Sequence, residues 1–202
     1  MPIVSKLMSA QMTQKGSSLE LTGDKLMSFV DAVSMACTTY VVGSSFVNST
    51  NQVTGPGAGT YTATLKNLNA PVMSGLMMSQ AAPAELGGRD LKKFFDALSH
   101  GVVQALKSAV STGSVIGGGP GIGRGSIKNL VPEMLEASII TQLGGKQLAG
   151  EKMPKLASCI AFGVCNHLMQ TVFVSTTCVG AFAGPPAGPV LIPAAVGTGK
   201  IA

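Results

Sequence analysis

Seven residues, Leu21, Gly23, Leu26, Phe29, Asp31, Ala32 and Ser34, recur 65 positions later as Leu86, Gly88, Leu91, Phe94, Asp96, Ala97 and Ser99. Such self-similarity at a fixed period limits the architectures open to the chain, because each copy must fold the same way and bury its apolar face against the others. A fainter third copy places Leu148-x-Gly150 opposite Leu21-x-Gly23. It also places Lys155-Leu156 and Ser158 opposite Lys25-Leu26 and Ser28, 130 positions on. Borders are marked by Lys66-Asn67-Leu68 before Pro71, Lys128-Asn129-Leu130 before Pro132, and Pro2. Residues 1–202 are therefore expected to form a single domain of three repeats, 2–70, 71–131 and 132–202.

Within each copy the pattern predicts two helices and an extended segment. Proline suits a first helical turn, where its missing N–H is not needed, so a first helix is expected over Ile3–Met12, Val72–Ala82 and Glu133–Leu143. A glycine-containing break follows. A second, more apolar helix is expected at about 24–39, 89–110 and 152–168, with Asp24 and Asp90 placed to favour its dipole. The stretches Val41–Val47, Val110–Ile116 and Val172–Val179 are β-branched and read as strand. A glycine-rich segment closes each copy, ending in Gly57-Ala-Gly59, Gly123-Arg-Gly125 and Gly197-Thr-Gly199. The expected fold class is α+β: three tandem ααβ-like repeats, with glycine-rich strand or arm segments, in one domain of approximate threefold symmetry.

Charge separates the functional classes. Only 23 of 202 side chains are charged, and a compact monomer of this mass exposes roughly 8,800 Å², about one charge per 380 Å² or half the usual density. Such a surface calls for cover, by other subunits or by a membrane. The net charge of +5 arises from scattered bases, and with two Tyr and no Trp the chain offers few stacking platforms, so nucleic acid is not an expected partner.

No motif supports catalysis, a cofactor or a metal. Gly117 to Gly125 lacks the Lys-Ser or Lys-Thr of a phosphate loop and holds no GxGxxG, so its glycines are read as serving the backbone. Gly57, Gly59, Gly123, Gly125, Gly197 and Gly199 are the expected interface positions, in arms that lie on neighbouring chains or add strands to their sheets. Asp96 and His100 stand four apart on a helix, an ordinary surface pair, and His167 reads as a buried core residue. Glu133 and Glu136 suit a helix N-terminus. Met73, Met77 and Met78 read as adaptable packing. Cys37, Cys159, Cys165 and Cys178 form no CxxC pair. Two readings apply to them, small core residues or a disulfide within or between subunits.

The segment from Leu156 to Gly199 carries no charge, and an apolar anchor at 157–174 in a small membrane-associated protein is the alternative to assembly. Asn166, His167 and Gln170 inside it are costly in hydrocarbon, and the second helices of the first two copies carry charges. The interior of a protein is thus the preferred environment. The N-terminus shows no basic region followed by an apolar run, so no secretory signal is expected. Together with the uncharged Ala/Gly/Thr/Val segments and Gly197-Thr-Gly-Lys-Ile201, this chain resembles, in whole-chain style, small structural proteins of tailed bacteriophage particles. The resemblance implies a non-enzymatic component of a tail, baseplate, neck or capsid. Such a component is assembled in the host cytoplasm, resides in the virion, and takes other structural subunits, identical or different, as partners.

Overall fold

The computed structural model describes residues 5–44, 46–53, 57–117, 121–171, 173–178 and 195–201. Pro2 and the Gly/Pro-rich run over 184–194 lie outside them. The fold is α+β. The elements are α1 (Ser5–Ser18), α2 (Leu26–Ser44), β1 (Phe46–Val53), β2 (Gly57–Lys66), α3 (Ala70–Ala81), α4 (Leu91–Ser108), β3 (Val110–Gly117), β4 (Gly121–Lys128), α5 (Pro132–Gly145), α6 (Met153–Thr171), β5 (Phe173–Cys178) and β6 (Ala195–Ile201). The order helix, helix, strand, strand thus occurs three times.

The twelve elements form two closed layers. Each helix packs on the next in chain order and α6 packs on α1, so the six helices make a ring. The strands make a closed antiparallel barrel in chain order, with β6 paired to β1. The layers meet where α2 packs on β6, α4 on β2 and α6 on β4. Among the described residues, closure leaves no helix without two neighbours and no strand edge to recruit a foreign strand.

The turn between paired helices has the same hydrogen bonds each time. Leu21 N–H donates to Gly16 O, Leu86 N–H to Ala81 O, and Leu148 N–H to Leu143 O, while Glu20, Glu85 and Gln147 N–H donate to Ser17, Ala82 and Gly144 O. These six-to-one and five-to-two bonds satisfy the last carbonyls of α1, α3 and α5. They require a left-handed residue, supplied by Glu20, Glu85 and Gln147 (φ 58°, 51° and 57°) rather than by glycine. The next helix is entered through Leu26 to Gly23, Leu91 to Gly88 and Met153 to Gly150.

By these bonds Met153 holds in its turn the place that Leu26 and Leu91 hold in theirs, 127 positions from Leu26, whereas the sequence reading set Leu156, at 130, opposite Leu26. A slip of three residues nearly matches the helical period of 3.6, so it leaves the apolar stripe almost unchanged and is hard to see in sequence.

Two further expectations change. Val41 to Ser44 are β-branched or small but complete α2, whose C-terminal turn buries Val41. The glycine-rich closing segments, expected as arms, are second strands paired back on the first: Thr50 faces Thr62, Thr112 faces Ser126, and Thr176 faces Gly199. Each pair of helices is thus followed by two strands, where one extended segment was expected.

A single core runs through the ring. Met8, Met12, Met73 and Met77 are all fully buried, joined by Leu135 and Ile139 on α5 and by Val33, Leu98 and Ile160 on the alternate helices. Phe29, Phe94 and Phe95 meet with ring centroids 5.6 to 6.2 Å apart.

Candidate functional site

The six glycines singled out in sequence fall on one face of the barrel. Gly57 and Gly59 share the parity of buried Ala63 and Leu65 along β2, and Gly123 and Gly125 that of buried Ile127 along β4. Gly199 pairs with Val47, which pairs with Leu65, so Gly197 and Gly199 lie on that same inner face. Eight strands give an interior just wide enough for side chains to fill, and six give a narrower one, so alternate inner positions without a Cβ let the barrel close. Their backbones are engaged within the chain. Gly59 pairs with Val53 and Val115, Gly123 with Val115 and Thr176, Gly125 with Gly113 and Val174, Gly197 with Ser49 and Cys178, and Gly199 with Val47 and Thr176. Gly57 pairs with Gly117. The strand-addition arm is thereby corrected: these positions complete the chain's own sheet.

A different set of residues is equivalent and exposed. Leu7, Val72 and Met134 stand at the same point on α1, α3 and α5, 65 and 62 positions apart, at 44, 46 and 66% exposure. Leaving a large apolar side chain in water forgoes about 1.5–3 kcal/mol relative to burying it. Recurrence at one position on every odd helix distinguishes this from scattered surface apolars, which need no explanation. Beside Met134 lies a groove of about 190 Å³ lined by Gln104, Ala105, Ser108, Asn129, Leu130, Val131 and Ser138. Sequence reasoning passed over these residues, although each follows a unit border by a few positions.

The polar groups are spent on holding helices together. Ser9 donates to the Asp31 carboxylate and Ser74 to that of Asp96, each across 22 positions from an odd helix to the next. Ser34 donates to Met12 Sδ at 3.5 Å and Ser99 to Met77 Sδ at 3.6 Å. Asp96 also takes Lys92 at 2.9 Å. His100 meets the Asp96 backbone carbonyl, at 2.8 Å, instead of the carboxylate expected for a surface pair. Tyr40, fully buried, accepts the N–H of Asn69 at the start of α3.

The cysteines follow the core reading. Cys37, Cys159 and Cys165 are buried and unpaired with one another, and Cys159 donates to the Met12 carbonyl at 2.8 Å. Burial pushes their thiols up to about 12, 11 and 12, so little thiolate is present at neutral pH. Within the chain these three form no disulfide with one another. Cys178 lies on β5, and its side chain is outside the described residues. Among the described residues no group of three His, Cys, Asp or Glu is placed to hold a metal.

His167 is wholly buried on α6, and burial holds its imidazole below the ordinary 6.5. Burial raises the Asp96 carboxyl, but the Ser74 and Lys92 hydrogen bonds and the charges of Lys92 and Lys146 outweigh it and leave it below 3.8. Unfolded His167 binds a proton that the folded residue refuses, so stability falls as pH drops below about 6.5. The Asp96 contribution is present above its ordinary value and is lost as pH falls through the lower folded one. Both act in one direction. The urea midpoint is expected to fall from pH 7 to pH 5, with a smaller fall in His167→Leu; an equal fall would remove His167 as a cause.

The 157–174 segment does not stand out as a free apolar rod. Its helical part buries Ala157, Ile160, Ala161, Val164, Cys165 and Leu168, and α6 packs on α5 and α1 before the chain turns to β5 at Phe173. A stretch apolar and long enough to cross a membrane is instead Leu26–Gly43 on α2, and half of it is buried in the fold. No known protein family matches this chain, and no curated protein or solved structure shows significant similarity to it.

Proposed function

We propose that the chain is a non-enzymatic structural subunit of a large symmetric assembly, of the kind found in tailed bacteriophage virions. In this reading three tandem ααββ repeats, bordered near residues 70 and 131, close around an approximate threefold axis into one domain. The recurrence of turn bonds and serine–aspartate bonds at equivalent places supports it. The observation that carries the functional part is the equivalent exposure of Leu7, Val72 and Met134, on a surface already short of charge. Permanent interfaces are poor in charge and resemble a divided core, and three apolar positions around one ring suit neighbours placed by symmetry.

Light scattering in detergent-free buffer tests this. The native mass is expected to be a defined multiple of 20.4 kDa, and Leu7→Ser/Val72→Ser/Met134→Ser is expected to return it toward that of one chain. A wild-type protein that stays monomeric at every concentration contradicts the self-assembling form of the reading.

A further inference from the structure

All nine acidic residues of the chain lie outside the strands, while the barrel carries Lys66, Arg124, Lys128 and Lys200. Pairing places three of these cations in one row. Lys66 faces Phe46, Phe46 faces Lys200, Lys200 faces Ser175, and Ser175 faces Arg124. The row crosses β2, β1, β6, β5 and β4, with cations on alternate strands, roughly 10 Å apart at the usual strand spacing. These strand positions have parity opposite to that of buried Leu65 and Ile127 and so belong to the outer face of the barrel, where Lys66 is exposed.

We propose that this outer wall is a docking surface for an acidic protein partner. Three like charges in one row, with no acid on the same barrel to neutralise them, project a positive field that selects a negative surface and disfavours a positive one. A second copy of the chain is a poor occupant, because its barrel carries the same charge and its helix ends mix both signs, with Arg89, Lys152 and Lys155 beside Asp90 and Glu151. A nucleic acid fits less well than a protein. Duplex DNA offers one charge per ~1.7 Å of axis, against four cations on the whole barrel. This inference names the partner chemistry of the subunit proposed above and rests on that reading. Native mass reports self-association and the following binding experiment reports the barrel, so the two fail separately.

Fluorescence anisotropy with labelled poly-L-glutamate at low salt provides the test. Wild type is expected to bind, with affinity falling as salt rises. Lys66→Gln/Arg124→Gln/Lys200→Gln is expected to bind about tenfold more weakly, three surface ion pairs being lost. Arg89→Gln/Lys152→Gln/Lys155→Gln, with the same change in net charge at the far end of the helices, is expected to stay within about twofold. Circular dichroism checks that both variants keep the wild-type fold. Absence of binding, equal loss in both variants, or tighter binding of duplex DNA than of poly-L-glutamate would overturn the proposal.

Discussion

Phe95→Ala is expected to destabilise the protein by about 3–5 kcal/mol, the usual cost of emptying a buried phenylalanine site. Phe95 is fully buried on α4. Its ring stacks on Phe29 of α2 at 6.0 Å with planes 8° apart, and meets Phe94 edge-on at 6.2 Å. The loss therefore combines apolar area, a cavity and two aromatic contacts. Since a domain is stable by about 5–15 kcal/mol, the variant should sit near its unfolding threshold. Thermal unfolding is the measurement, and at 2–4 °C per kcal/mol for a chain of this size the midpoint drops by about 6–20 °C. Phe95→Leu keeps most of the volume and should fall much less. Similar midpoints for the two variants would mean that the aromatic cluster is not part of the core.

Gly101→Val is expected to weaken the ring by overpacking. A Cβ at Gly101 would lie 2.8 Å from Ile139 Cγ1 and 3.0 Å from both the Cα and the N of Ile139. The obstacle is the backbone of α5, which cannot rotate away as a side-chain tip can. Valine in place of glycine gains a few tenths of a kcal/mol of helix propensity, against about 1–3 kcal/mol or more for forcing extra atoms into a packed interior. The expected net effect is about 2 kcal/mol, a midpoint lower by about 4–8 °C. The equivalent position on α6 is Gly163, where a Cβ would lie 2.2 Å from Met12 Cγ. On α2 it is Ala36, also fully buried, which already carries a Cβ. Ala36→Gly should cost only about the propensity difference, ~1 kcal/mol. A Gly101→Val protein as stable as wild type would show that α4 and α5 do not approach in this way.

How much of this was legible in sequence differs by element. Helices α3 and α5 announce themselves through proline in their first turn, α4 and α6 through apolar segments behind a glycine-containing break, and the observed limits of all four lie within three residues of expectation. The strands are half legible. β3 is β-branched, but β4 and β6 contain Gly121-Ile-Gly-Arg-Gly125 and Gly197-Thr-Gly199, which local propensity disfavours. These form strands because a six-stranded barrel needs missing side chains on its inner face, a requirement that arises only once the barrel closes. Val41 to Ser44 misled in the opposite sense, as β-branching favours strand locally while burial of Val41 against the ring keeps it helical. The turns hid for a similar reason. The sequence marks only a glycine-containing break there, while the left-handed positions are Glu20, Glu85 and Gln147, held by the closing hydrogen bonds of each helix pair.

The interaction surfaces were less legible still. Leu7, Val72 and Met134 look like any apolar helix residues until the ring order shows which face each helix keeps outside. In sequence, Ser9 with Asp31 and Ser74 with Asp96 are unrelated pairs 22 apart; in the fold they are one contact made twice. At the corresponding places on α5 and α6 stand Glu136 and Ser158, with acid and hydroxyl exchanged between the helices.

Closure of the helices into a ring and of the strands into a barrel is central to this account, and a circular permutant tests it most directly. Three residues join β2 to α3 and three join β4 to α5, while residues 202 and 1–4 would supply a five-residue join from β6 to α1. A chain that starts at Ala70, runs through Ala202 into Met1 and ends at Asn69 moves the break from the β6–α1 junction to the β2–α3 junction. If α6 packs on α1 and β6 pairs with β1 as described, this permutant folds with the helical content of the parent and unfolds cooperatively within a few degrees of it. A permutant that is soluble but unfolds without a cooperative transition, beside a parent that unfolds sharply, would contradict the closed ring.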